Sequence, residues 1–318
     1  MKIALIDKNT NIIRGSYRIW INDLSIYFKK IGYQCEINPK DISLYDIIIY
    51  GKGTIPKKLN NKKIGIINPA ADNKFLIQNA DFIIVGSCEE KNSIIKYNKN
   101  IFIFPLIENL YLNVIPKIHI KKEIITIGYH GNQNHLNHFS LGLNKALEKL
   151  SKKFKIKFLY ICQNNKEWLK GKPNIKTEYK KWDINTIVND IQKFDIGIIP
   201  NISEITQNNK LNTNLHLGIY NTDFKIRFKN KSNIGRALVL FQLGIPVIAD
   251  MTPCNMHILA NPDNGYAVLS EEGWYNALEE LCCEKQRNFI SKNAYDECKR
   301  LYDPLNWAKK VINKIKML

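Results

Sequence analysis

The chain has 318 residues, enough for about two domains, with 45% hydrophobic and 24% charged side chains, a globular composition and not a disordered one. Its 47 basic against 29 acidic residues leave a net charge of +18, which points to an anionic partner: nucleic acid, a nucleotide or an anionic membrane surface. No apolar run approaches the ~20 residues that span a bilayer, and MKIALIDK sets Asp7 inside a run too short for a secretory leader. A cytoplasmic protein is therefore expected, soluble or peripheral at the inner face of the membrane.

In chain order, KIALID reads as a strand, followed by a loop with Arg14 and Gly15 and a helix through Trp20, Leu24, Tyr27, Phe28 and Ile31. A short strand near Cys35 comes next, then YDIIIYG, KKIGIIN, ADFIIVG and NIFIFP. Uniformly apolar strands separated by helices or loops indicate a parallel sheet covered on both faces. The pattern breaks between Pro105 and Pro116 and restarts at KEIITIGYHG, with a helix from about Phe139, strands at KIKFLYIC and FDIGIIP, and a helix near Ile187 and Ile191 between them. A polar loop from Asn201 to about Thr222 precedes KIRFKNKSNIGRALVLFQLGIPVIAD. Asn264-Gly265 reads as a turn, Tyr266 to Leu269 as a strand, Ser270 as the cap of a helix with Glu271 and Glu272 in its first turn, and a last helix follows Pro304. The fold expected is α/β: two Rossmann-like domains, 1–112 and 113–318, with a cleft at the carboxyl ends of the strands and the last helix packing back on the first domain. Seven cysteines show no C-x-x-C spacing, which fits free thiols in a reducing compartment.

The stretch from Lys225 carries the clearest chemistry. Lys225, Arg227, Lys229 and Lys231 alternate with Ile226, Phe228 and Asn230, so an extended segment projects all four cations from one face. Ser232 is then a candidate N-cap, with Asn233 beside it, and Ile234, Ala237, Leu238 and Phe241 mark one buried helix face. A basic strip that meets free backbone N–H groups at a helix start suits a phosphate or diphosphate. Arg236 lies one turn into the helix, and either reaches the anion or stays on the surface.

His130, Gly131 and Asn132 follow a buried strand, where cleft residues gather, and Gly131 lets the backbone approach a ligand closely. His135 and His138 lie nearby, but that loop has no carboxylate or cysteine to complete a zinc site, so hydrogen bonding to sugar or phosphate is the better reading and no metal or cofactor is expected. Gly15, Ser16 and Arg18 open the first helix as a second anion site, and Lys52 follows another strand end. GKG lacks the G-x-x-x-x-G-K-[ST] frame, and no G-x-G-x-x-G follows a strand. Asp72 in NPAADNK is the candidate base, whereas Asp7 and Asp46 adjoin strands and read as structural.

Three stretches carry a family resemblance: GSYRIWINDLSIYFKKIGYQCEI, IGYHGNQNHL, and KSNIGRALVLFQLGIPVIAD continued by NGYAVLSEEGWYNALEEL. They resemble GT-B glycosyltransferases of the family-1 and family-4 type. The resemblance implies a nucleotide-sugar donor on the C-terminal domain, a glycan or lipid-linked acceptor on the N-terminal one, and transfer without a metal. It also implies cell-surface polysaccharide biosynthesis, with Asp72 and His130 as catalytic candidates. The retaining branch carries two glutamates eight residues apart, at positions that here hold Lys231 and Val239. Retention and inversion both stay open, and so does a non-catalytic protein that binds nucleotide or glycan. No D-x-D triplet supports the metal-dependent alternative, and no stacking platform of interleaved aromatic and basic residues supports a nucleic-acid partner.

Overall fold

The structure is a computed structural model that describes residues 1–56, 59–69, 73–136, 142–165, 172–204, 226–228 and 234–318. The chain divides into two compact units, Met1–Asn109 with Tyr302–Leu318, and Leu110–Leu301.

The first unit carries strands β1 (Lys2–Ile6), β2 (Gln34–Ile37), β3 (Ile47–Tyr50), β4 (Lys63–Ile67), β5 (Phe82–Val85) and β6 (Ile101–Ile103). They pair in parallel in the order β2-β1-β3-β4-β5-β6. Every residue of β3 and β5 is buried, as a strand covered on both faces requires. Helices α1 (Gly15–Tyr17), α2 (Leu24–Lys30), α3 (Lys74–Asn79) and α4 (Cys88–Ile94) connect them. Where a single helix was expected, Arg18–Asp23 forms a π-helical segment between α1 and α2. A π turn bonds residues five apart, so Arg18 and Asp23 share a face that α geometry would split. Both then reach the chain leaving β6, Arg18 at Glu108 and Asp23 at the Asn109 amide.

The second unit carries β7 (Ile125–His130), α5 (Leu143–Ser151), β8 (Ile156–Cys162), β9 (Thr177–Lys181), α6 (Ile187–Ile191) and β10 (Ile196–Ile199). Beyond these come β11 (Ile202–Glu204), β12 (Ile226–Phe228), α7 (Gly235–Gln242), β13 (Val247–Asp250), α8 (Pro253–Ile258) and β14 (Tyr266–Val268). Helices α9 (Glu271–Glu280), α10 (Glu284–Leu301) and α11 (Pro304–Lys316) complete the chain. The main sheet is parallel in the order β14-β13-β10-β7-β8-β9, while β11 and β12 form a separate antiparallel pair. Sequence patterning missed β9 because TEYKK has no apolar run: it is an edge strand, and lysines there discourage further pairing. Ser270 caps α9 by accepting from the Gly273 amide, and Gly244, at φ +68°, ends α7. Helix α11 belongs to the first unit, packed on α2 and β6, with Lys63 Nζ donating to the Ile315 carbonyl at its C-terminus.

Helix α7 differs from expectation. It begins at Gly235 with Ile234 at the cap position and no side-chain cap bond, and Ser232 lies outside the described residues. It has no solvated stripe: Gly235 and Ala237 through Gln242 are all buried, and Arg236 alone in the helix is not.

Candidate functional site

Strand order locates the places where a parallel sheet opens a crevice. In the second unit the chain runs from β7 outward through β8 and β9, then crosses to lay β10 on the other side of β7. The connections leaving β7 and β10 therefore diverge and leave a gap at their carboxyl ends. In the first unit the same reversal falls between β1 and β3.

Arg236 reaches into the β7/β10 gap. One guanidinium nitrogen, Nη1, donates to the Tyr129 hydroxyl at the end of β7 (3.3 Å), and Nη2 donates to Asn201 Oδ1, just past β10 (3.1 Å). Nη2 also stands 3.2 Å from His135 Nε2, and the guanidinium carbon lies 5.6 Å from the centre of the Tyr129 ring. None of these partners is anionic, and no carboxylate pairs with Arg236 among the described residues. The Tyr129 hydroxyl donates in turn to the Asn132 carbonyl (2.7 Å), and burial pushes its pKa far up, so it stays a neutral donor. Asn201 is fixed from behind, its amide donating to Asp250 Oδ2 at the end of β13.

Gly131 closes the turn at φ +133°, and a Cβ there would stand 3.2 Å from the Tyr129 hydroxyl and 3.3 Å from Arg236 Cδ. Only glycine gives both the backbone angle and the room. His130 is buried at the last position of β7 beside Ile161 of β8, while Asn132 is exposed. The fold thus brings His130, Gly131, Asn132 and Arg236 to one strand end. Arg227 lies on β12 opposite Ser203, while Lys229, Lys231, Ser232, Asn233, His138 and Asp72 lie outside the described residues. Tyr129 and Asn201 escaped the sequence reading; their only signal is that each lies at or just past the carboxyl end of a buried strand.

In the first unit, Asp7 follows β1 and Gly51-Lys52 follows β3 at the sheet's own reversal. The Asp7 carboxylate packs so closely on Gly51 that a Cβ there would be 2.3 Å from Oδ2. Asp7 Oδ1 accepts from the Asn9 amide (2.9 Å), Oδ2 takes no hydrogen bond among the described residues, and Lys52 is exposed nearby in sequence. Asp46 sits at the opposite end of the sheet, accepting from the Lys2 amide. Gly15 and the exposed Ser16 lie in α1. Arg18 is buried: Nε and Nη2 donate to Glu108 Oε2 (2.9 and 2.8 Å) and Nη1 to the Ile12 and Ile13 carbonyls. All seven cysteines are unpaired, and no group of His, Cys, Asp or Glu among the described residues is arranged to hold a metal. No described helix is long and apolar enough to cross a membrane.

No protein-family model and no curated protein sequence matches the chain. Solved structures do. A sucrose-phosphate synthase from Thermosynechococcus elongatus is similar over 99% of this chain and 98% of its own, with a TM-score of 0.65 at 12% identity. HepE from Anabaena, in complex with UDP-glucose, is similar over 100% of both chains with a TM-score of 0.61 at 11% identity. TarM from S. aureus, in a complex that includes UDP, is similar over 85% of this chain with a TM-score of 0.59 at 13% identity, and this chain spans 55% of TarM. The fold is that of the GT-B glycosyltransferases, two Rossmann-like units in one chain.

Proposed function

We propose that the chain is a metal-independent glycosyltransferase that takes its sugar from a nucleotide sugar and passes it to a glycan or lipid-linked acceptor of cell-surface polysaccharide synthesis. In this reading residues 113–318 bind the donor, residues 1–112 present the acceptor, and the excess of lysine lets the enzyme work at an anionic membrane face. Arg236 carries the proposal: it is a partly buried cation whose partners among the described residues are all neutral. Such a charge is costly without a counter-ion, and a diphosphate at the β7/β10 gap supplies one. As the glycosidic bond to the leaving phosphate breaks, negative charge grows on the diphosphate, and a cation already fixed in place stabilises it without reorganising. Arg227, Lys229, Lys231 and the amides after Ser232 add to this anion site, and His130 and Asn132 hold sugar hydroxyls. On the acceptor side Asp7, Lys52 and Ser16 meet hydroxyl groups, and Asp72 is a further carboxylate for a direct inversion. The UDP held by HepE and TarM makes UDP the first nucleotide to try.

The test compares UDP with uridine. Arg236→Ala is expected to weaken UDP binding by about tenfold to a hundredfold, the worth of a charged hydrogen-bonding group, and to leave uridine binding nearly unchanged in calorimetry. Equal loss for both ligands would refute a diphosphate contact. A second reading, a non-catalytic nucleotide- or glycan-binding protein, is favoured by Lys231 and Val239 at the two glutamate positions. A lysine ammonium donates only, so it cannot accept from sugar hydroxyls as a carboxylate does. UDP binding with no nucleotide sugar hydrolysed or transferred would favour that second reading.

A further inference from the structure

Residues 115–124 of the second unit form a strap without helix or strand across the amino ends of its strands, and its amphipathicity is inverted. Inside lie polar groups. Lys117 Nζ donates to Asp195 Oδ1 (2.9 Å), and the buried His119 places Nε2 2.9 Å from the Gly244 carbonyl. The Asn288 side chain on α10 clasps the His119 backbone from both sides, accepting from its amide and donating to its carbonyl, both at 2.8 Å. Arg287 holds the Ile120 carbonyl. Outside lie isoleucines, with Ile115 83%, Ile118 80%, Ile120 62% and Ile124 47% exposed. Phe289 of α10, adjacent in sequence to the clasping Asn288, is half exposed too. A firmly tethered strap that turns its apolar side chains outward offers them to a partner, since exposure in water brings no stability.

We propose that this strap and the neighbouring face of α10 dock on a bilayer that contains anionic phospholipid. The charges choose the occupant. Lys121 follows Ile120, and Lys285 lies one helical turn before Phe289; both are exposed, with no acidic partner among the described residues. Of the nearby acids, Glu123 and Asp296 are already paired, with Lys155 and Lys292, and Glu284 accepts from Asn288 Nδ2 (3.4 Å). Apolar side chains flanked by two free lysines match an interface with hydrocarbon below and phosphate above. A nucleic acid offers the phosphates but no apolar phase for isoleucine. A second copy would bring its own lysines against these. The strap lies at the amino ends of the strands and the Arg236 site at their carboxyl ends, so a docked second unit keeps its site turned to the aqueous side. The inference deepens the membrane-face part of the transferase reading.

The experiment is cosedimentation of the full chain with vesicles of phosphatidylcholine alone and of phosphatidylcholine with phosphatidylglycerol. Binding only to the anionic vesicles is expected. Ile118→Asn combined with Ile120→Asn should weaken it by about tenfold or more, and Lys121→Gln and Lys285→Gln by about fivefold each. Lys309→Glu with Lys310→Glu, exposed on α11, should matter less than the strap changes. These sites are exposed, so the variants should melt as the parent does. The proposal is overturned if neither vesicle binds, if the isoleucine variants bind normally, or if the α11 variant alone releases the protein. It also fails if the isoleucine changes abolish self-association or DNA binding and not vesicle binding. UDP-induced thermal stabilisation, measured on the same samples, separates the two readings. Vesicle binding without a UDP response sinks the transferase reading and leaves the docking surface, and the reverse result does the opposite.

Discussion

The two units contain the same open parallel sheet with the same kind of reversal, yet their arginines do different work. Arg18 and Arg236 each send several hydrogen bonds to neighbours at the carboxyl side of a sheet. Arg18 meets the Glu108 carboxylate and two carbonyls, so its charge is cancelled inside the protein. Among the described residues Arg236 meets a phenol, an amide oxygen and an imidazole, which orient its charge without cancelling it. The first arrangement ties the chain leaving β6 to the π-helical segment. The second holds a cation to which the described residues bring no carboxylate.

The contrast breaks most sharply on stability. Arg18→Met leaves Glu108 buried without its partner and should cost about 3–5 kcal/mol in chemical denaturation. Arg236→Met removes a cation with no carboxylate partner among the described residues and should change stability by about 1 kcal/mol or less. Equal losses would mean that Arg236 is as structural as Arg18. Gly131→Ala comes next. The added methyl meets both the Tyr129 hydroxyl and Arg236 in a strained backbone, at about 1–3 kcal/mol, and UDP affinity should fall with it. Unchanged affinity would detach that turn from the proposed donor site.

The smallest effect is on pH, where the units should respond in opposite senses. Burial raises the Asp23 carboxyl to about 6 from an ordinary 3.8. Its contribution to the first unit is full below about pH 4 and is lost as pH rises through 6. Burial lowers His119 to about 4 from 6.5. Its neutral ring donates from Nε2 to the Gly244 carbonyl, and among the described residues Nδ1 has no partner for a second proton. Its contribution to the second unit is full above about pH 6.5 and is lost as pH falls through 4. Between pH 7 and 4, hydrogen exchange should therefore show the first unit tightening and the second loosening, each on the order of 1–2 kcal/mol. Asp23→Asn and His119→Gln should each flatten the slope of its own unit only.

Much of the fold was legible because buried parallel strands are written as apolar runs. YDIIIYG, ADFIIVG, IGYHG and IPVIAD need no tertiary information to be read as strands, and the Gly at 244 and the Ser at 270 end or start their helices by local backbone chemistry alone. Beta9 was not legible, since an edge strand needs no apolar face, nor was the π segment, which exists because Arg18 and Asp23 answer partners some 90 residues away. The sequence marked Arg236 and the HGN turn as separate candidates more than 100 residues apart. Only strand order, which sets β7 beside β10, brought them within hydrogen-bonding reach. Whether an arginine is neutralised or left open depends on which residues the folded chain puts opposite it. Local propensity carries no record of that, so Arg18 and Arg236 looked alike until the tertiary structure supplied Glu108 to one and, among the described residues, only neutral partners to the other.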